Sequence, residues 1–260
     1  MTRMPRPSAT AERELFLASA FLAAHPDASS CAVIGLDEVG RGALAGPVAV
    51  GAFAVRCERG EDPVPTLAEL PSGLKDSKLL SPTKREAFFA TLAGGASSIP
   101  LPLGLVARCG TEVCPAAVGT ARAREIDEHG ISHALTLAAT RALEATREAL
   151  DVPLAGVILD GNHDYVSRGC ETPLECPLEV VVKADQTCVS VAAASILAKV
   201  ARDRHMGALD TEAPGYGWAG NKGYGSKAHR EAIAKLGIHA EHRASWKLVP
   251  AEQPGFDLPL

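Results

Sequence analysis

The chain alternates short continuous apolar runs with longer segments of helical spacing. Cys31–Leu36 (CAVIGL) and Gly46–Arg56 (GPVAVGAFAVR) are rich in valine and alanine, the pattern of strands buried on both faces, and a glycine-rich connection joins them. Leu101–Arg108, Ala155–Asp160 (AGVILD) and Leu178–Lys183 (LEVVVK) predict three further strands. Glu58–Gly73 is polar and proline-bearing and reads as a loop. Ser81-Pro82 ahead of TKREAFFATL is a cap, a proline in the first helical turn and a helix. From Ala121 to Leu150 the spacing of Ile126, Leu135, Leu137, Ala138, Leu143 and Leu150 predicts a long helix, broken near Gly130. Ser190–Arg204 predicts a small-residue helix able to lie close to a sheet, and Ser226–Leu236 a final helix before a proline-rich tail.

Leu15–Ala24 (LFLASAFLAA) follows Arg3 and Arg6 and imitates an export signal. Glu12, Arg13 and Glu14 abut the run, so a short N-terminal helix is the preferred reading. Together these elements predict an α/β fold, a mixed five-stranded sheet flanked by helices with a helical C-terminal appendage. Residues 1–30 form an N-terminal extension, 31–210 the core, and 211–260 a C-terminal segment and tail of the same domain.

Composition narrows the class. The 260 residues are 47% apolar and 22% charged, near the globular average, and no apolar run reaches the ~20 residues of a membrane helix. Net charge is −5, which argues against a uniformly basic nucleic-acid coat. Residues 183–247 nevertheless hold 10 Lys/Arg against 6 Asp/Glu, so a basic C-terminal segment sits on an acidic body. None of the seven cysteines forms a CxxC pair; they read as reduced thiols of a cytoplasmic protein.

The sharpest motif is Asp37-Glu38-Val39-Gly40-Arg41-Gly42, where the first strand ends. Adjacent strand residues point to opposite faces, so both carboxylates reach one site if the chain turns there, and the glycines permit such a turn. The motif alone is compatible with a metal or a phosphate site, or with an acidic surface hairpin. Asp160 also ends an apolar strand, and Asp185 follows another just before the Ser190 helix. Carboxylates converging from several strand ends suit hard divalent cations, which prefer oxygen ligands. His129 and His133 have a two-histidine metal spacing without a partner motif, and His163 reads as a loop histidine. Asp203 reads as an ion-pair residue; Tyr216 and Trp218 could pack or stack on a substrate.

Five segments carry a resemblance: GLDEVGRGALAGPVAVGA, LKDSKLLSPTKREAF, ILDGN, VVKADQ…SVAAASILAKVARDR and YGWAGNKGYGSKAHREAIAKLGIHAEHRASW. In this order, from about Ala32 to Lys247, the chain resembles type 2 ribonuclease H (ribonuclease HII). The resemblance implies a ribonuclease H-like core that cuts RNA paired with DNA, and single ribonucleotides embedded in duplex DNA, leaving 3′-hydroxyl and 5′-phosphate ends. It implies cutting on the 5′ side of the ribonucleotide at an RNA–DNA junction, with roles in ribonucleotide repair and primer removal. Asp37, Glu38, Asp160 and Asp185 would be catalytic metal ligands for Mg²⁺ or Mn²⁺, in a two-metal mechanism. Gly40, Arg41 and Gly42 would sense the 2′-hydroxyl, Tyr224 would pack on the next sugar, and Lys78 and Lys222 are candidate phosphate contacts. Lys183, Lys199, Arg202, Lys227 and Arg230 could bind the duplex backbone without reading sequence. The expected partners are RNA/DNA hybrid and ribonucleotide-containing duplex, with no membrane and a monomeric enzyme.

The chain departs from the family pattern at Ala43, Gly130 and Trp246, none of them a proposed ligand. The short N-terminal extension and Arg41 favour type 2 over type 3 ribonuclease H. A structure-specific DNA nuclease on the same core would be indifferent to a single 2′-hydroxyl, and a hybrid-binding protein would not need all four carboxylates.

Overall fold

In the computed structural model, which describes residues 8–66, 70–95, 106–167, 169 and 173–248, the apolar runs form a mixed sheet. In chain order the elements are α1 (Glu12–Ala24), β1 (Ser30–Val39), β2 (Val48–Glu58), β3 (Val64–Pro65), α2 (Pro82–Leu92), β4 (Val106–Gly110), β5 (Pro115–Ala121), α3 (Ala123–Glu148), β6 (Leu154–Asp160), β7 (Leu178–Val181), α4 (Val189–Glu212), α5 (Trp218–Asn221) and α6 (Lys227–Leu236). The sheet order is β4-β5-β2-β1-β6-β7, with β3 paired to β2. β1 is antiparallel to β2 and parallel to β6, which places the carboxyl ends of β1 and β6 side by side.

β1 is buried along most of its length because both faces of the sheet are covered. On one face Val33, Phe53, Val55 and Ile158 pack with α1, α2 and α4. On the other, Ile34, Leu36, Val50, Val157 and Leu159 pack against α3. The small-residue start of α4 lets its backbone reach the sheet itself. A side-chain carbon on Gly35 would lie 2.4 Å from the backbone of Ser190 and Val191, and one on Gly51 2.3 Å from the Ala194 carbonyl oxygen. Larger residues at either place would push α4 off the sheet.

The N-terminal helix belongs to this core: Leu17, Ala18 and Leu22 are buried in it. Fully buried Glu14 accepts from the Ser190 amide (2.9 Å) and hydroxyl (2.7 Å), so α1 supplies the acidic cap that the start of α4 lacks locally. Thr10 bonds Thr187 and Val189 on the same segment.

The five expected strands are present among the described residues, except that 101–105 of the third lie outside them, and two more appear. β5 (PAAVGTA) escapes a propensity reading because alanine, glycine and proline are depleted in strands. It forms because β2 and β4 pair with it on either side. α4 runs on to Glu212, beyond the expected Arg204, and α3 is kinked at Gly130, whose φ is +81°.

The C-terminal appendage has its own small core of Leu44, Met206, Tyr216, Trp218 and Ile233. Trp218 is fully buried and Tyr216 stacks on it at 4.9 Å, so both pack and neither faces solvent as a stacking platform. His229 Nδ1 meets the Tyr224 carbonyl oxygen (2.9 Å) and therefore carries the proton. Its Nε2 accepts from Trp218 Nε1 (3.0 Å) and lies 3.2 Å from His242 Nε2. His242 Nδ1 accepts from the His239 amide, so its Nε2–H is free to donate to His229. Both rings are thus neutral; burial lowers the pKa of each, and burial together with the neighbouring His229 takes His242 to about 4.

Candidate active site

Asp37 and Glu38 occupy the last turns of pleat in β1, and Asp160 is the final residue of β6 beside them. One oxygen from each of these three carboxylates can be chosen so that all lie within 4.8 Å of one another. The turn between Asp37 and Glu38, expected if both carboxylates share one site, is absent. β1 stays in register with β2 through Val39, and the turn follows at Gly40. The β1–β6 ladder ends at Leu36 opposite Leu159, so the edge of β1 beyond that point is open. The longer side chain of Glu38 reaches round this edge to the same place as Asp37.

The electrostatics are those of a site short of positive charge. Burial pushes the Asp37 carboxyl well above its ordinary range, and the charges of Asp160, Glu38 and Asp185 add to this, against a stabilising bond from the Ser195 hydroxyl. Burial and Asp160 raise Glu38, while Arg41 and Lys78 pull it down. Burial raises Asp160 too, although the Ala184 amide donates to its Oδ1 at 2.7 Å. Tyr165, buried in the loop after β6, has its hydroxyl 3.4 Å from Glu38 Oε2 and stays a neutral phenol, its pKa raised by burial and by the carboxylates. Tyr165 belongs to no motif; its place five residues after Asp160 is the only signal the sequence carries.

Asp185 lies beside the three, outside the group whose oxygens all fall within 4.8 Å of one another. It sits in a one-turn helix, Ala184–Gln186, and is buried; burial, then Asp76 and Asp160, raise its carboxyl to about 7. Asp76 caps the short helix Ser77–Leu79 by accepting from the Lys78 amide at 2.8 Å, and shares a hydrogen bond with Asp185. Burial works against the charge of Lys78, yet Asp37, Asp76, Asp185 and Asp160 together raise its pKa. Lys78 is therefore held as an ammonium facing the acidic group.

All donors are oxygens, and each pKa rises first through burial and then through the neighbouring carboxylates. A hard divalent cation fits this donor set, and a thiophilic or imidazole-seeking metal does not. His129 and His133 are exposed on α3, and His163 contacts Asn162; none joins the acidic group.

Two loops adjoin the carboxylates. Gly40–Gly42 follows β1 directly, with Arg41 and Gly42 exposed and the Arg41 guanidinium 3.9 Å from Glu38. Open space surrounds Gly42, whereas Gly40 is packed closely against Arg202. The Gly223 carbonyl accepts from the amides of Leu44 and Ala45, which ties the Lys222-Gly223-Tyr224 loop to the first. Tyr224 is 40% exposed, its ring 5.7 Å from the Arg202 guanidinium.

Of the expected phosphate contacts, burial excludes Arg202, and Lys199, Arg230 and Lys222 make contacts within the chain. Arg202 is fully buried and donates to the carbonyls of Pro47, Lys222 and Ala45. Lys199 is paired with Asp203 at 2.5 Å, which bears out the ion-pair reading of Asp203. Arg230 is turned to the Lys247 and Leu248 carbonyls, and the Lys222 ammonium to that of Asp203. Lys183 and Lys227 remain exposed. The sequence reading missed Arg243, which is fully buried and donates to the carbonyls of Gly40, Arg41 and Gly46.

The chain is similar to known proteins in sequence and in fold. The family model described as Ribonuclease HII matches residues 34–249. A ribonuclease HII of Ruegeria sp. is 42% identical over 217 residues, covering 84% of this chain and 78% of that one. The structure of the PCNA:RNase HII complex from Archaeoglobus fulgidus aligns with TM-score 0.61 and 25% identity, over 86% of this chain and 98% of that one. Bst-RNase HIII, solved in complex with Mn²⁺, shares the fold at TM-score 0.58 and 24% identity, over 86% of this chain and 67% of that one.

Proposed function

The chain belongs to the ribonuclease HII family, hence is a ribonuclease H, and from that premise we propose where and how it cuts. The proposed substrates are the RNA strand of RNA/DNA hybrids and single ribonucleotides in duplex DNA, cut on the 5′ side of the junction ribonucleotide. The enzyme acts as a monomer in the cytoplasm, in ribonucleotide removal and primer processing. One observation carries the reading: Asp37, Glu38 and Asp160 gather at the shared carboxyl edge of β1 and β6 with Lys78 as their ammonium neighbour.

Asp37, Glu38, Asp160 and Asp185 would hold Mg²⁺ or Mn²⁺. Such ions supply Lewis acidity at the phosphate and lower the pKa of water. Hydrolysis breaks the bond between phosphorus and the 3′ oxygen; water adds to phosphorus, leaving a 5′-phosphate and a 3′-hydroxyl. The chain's own contribution is placement. Lys78 offers a fixed positive charge to a phosphate, the Gly40–Gly42 backbone meets the ribose, and Tyr224 lies against the following sugar. Exposed Lys183 and Lys227 bind the duplex without reading sequence.

The test is a duplex with one embedded ribonucleotide, incubated with Mg²⁺, Mn²⁺ or EDTA and mapped on a gel. A single cut 5′ to the ribonucleotide, abolished by EDTA, is expected. Cleavage of all-DNA duplex at the same rate would sink the assignment.

A further inference from the structure

Arg202 and Arg243 are both fully buried, and all their hydrogen bonds end on backbone carbonyls. Neither pairs with a carboxylate among the described residues. A buried guanidinium without a counter-ion is costly, and two in one small region repel each other. Apolar side chains would fill the same space at less cost, so the arginines are retained for what their forks hold.

What they hold is the pair of loops beside the acidic group. Arg243 reaches Gly40 (2.7 Å), Arg41 (2.8 Å) and Gly46 (3.1 Å). Arg202 bridges Ala45 (3.1 Å) and Pro47 (2.8 Å) to Lys222 (2.9 Å). Across a trans peptide the carbonyl of one residue and the N–H of the next point in opposite directions. With the Gly40 and Arg41 carbonyls drawn inward, the N–H groups of Arg41 and Gly42 are turned outward. Both residues are exposed, and neither N–H has a hydrogen-bond partner among the described residues. Two successive outward N–H groups form a concavity for an oxygen acceptor.

We propose that Arg243 and Arg202 are positioning residues for ribose selection. Resting on the nuclease reading above, Arg243 fixes the direction of the Arg41 and Gly42 N–H groups toward the 2′-oxygen, and Arg202 locks the Tyr224 loop to the same frame. The selection is made by backbone, and the backbone is aimed by two guanidinium forks that never touch substrate.

The experiment compares wild type, Arg243→Lys and Arg202→Lys, which keep the charge and lose the fork. Two duplexes are used, with a ribonucleotide or a 2′-fluoro-2′-deoxynucleotide at the cleaved position. Each variant, shown folded by circular dichroism and binding Mn²⁺ as wild type does, should lose tenfold or more in its preference for the 2′-hydroxyl. That loss should fall in kcat, with KM changed less than threefold. A folded variant that retains the wild-type preference, even at reduced overall rate, overturns the proposal. If both variants fail to fold, nitrogen-15 NMR of wild type in EDTA decides. The Arg41 and Gly42 amides should shift with ribonucleotide-containing duplex and not with all-DNA duplex; equal shifts overturn it. Wild type inactive on both duplexes would instead overturn the nuclease reading, and the inference with it.

Discussion

The Arg202 guanidinium occupies the space that a side chain on Gly40 would need: a Cβ there would lie 2.2 Å from Arg202 Nε. The tip of an arginine ordinarily swings aside, but this one is fixed by three carbonyls. Gly40 also has φ +81°, a left-handed conformation that costs other residues on the order of 1 kcal/mol or more. Gly40→Ala should therefore lower the melting temperature by several degrees and slow ribonucleotide cleavage at least tenfold. Gly42→Ala, with open space around it and no positive φ, should leave stability unchanged, as differential scanning calorimetry will show.

The carboxylates should serve chemistry at the expense of stability. Asp37→Asn or Asp160→Asn should cut turnover at least ~10²-fold, since a hard-cation site loses charge and geometry together. The folded pKa of Asp37, Asp160 and Asp185 lies above the unfolded value, chiefly through burial, with Asp185 at about 7. Such groups contribute stability below an unfolded pKa of about 3.9, which is lost as pH rises through the folded pKa. In EDTA, Asp185→Asn should thus melt higher than wild type at pH 8 and equal to it near pH 4. Mn²⁺ should raise the melting temperature of wild type far more than that of Asp37→Asn.

Tyr224 and the exposed lysines should have separable effects. Aromatic contacts with nucleic acid are worth about 1–3 kcal/mol for base stacking, and packing on a sugar falls at the lower end. Tyr224→Ala should slow junction cleavage roughly tenfold or more with an unchanged salt dependence of binding. Lys227→Ala should weaken all duplexes alike and reduce the salt slope by about one. Lys222→Ala, with its ammonium on the Asp203 carbonyl, should change the slope less, as binding isotherms at several salt concentrations will test.

Acid should loosen the appendage before the sheet. The folded pKa of His242 is depressed to about 4, by burial and then by His229. A base with a depressed folded pKa contributes stability above its unfolded pKa of about 6.5, lost as pH falls toward the folded value. His242→Gln can accept from His239 and donate to His229 without titrating. It should flatten the decline in melting temperature between pH 7 and pH 4.5; an equally steep decline would remove His242 as the cause.

The α/β fold and the carboxylate group were legible because their signals are local: apolar runs ending in aspartate, and a motif with fixed spacing. Asp37, Glu38 and Asp160 come together as the strand-end argument expects, although by an open strand edge and not by a turn. β5 was hidden because its small residues carry no propensity for a strand, and only its neighbours make it one. Arg202 and Arg243 were misread or missed for another reason. An arginine in a polar stretch reads as a solvated charge, and nothing local marks one whose partners are carbonyls of a distant loop.

The parallel pairing of β1 with β6 also sets an order in time. β1, β2, β5 and β4 all lie upstream of α3 and can assemble by antiparallel pairing, whereas β6 must close a far longer loop to reach β1. Until it does, Asp37 and Glu38 stand without Asp160, and the proposed cation site is incomplete. Capture of a cation by the proposed site is accordingly expected to follow this closure. During refolding, lanthanide luminescence at the site should lag behind the far-ultraviolet signal of the sheet and helices.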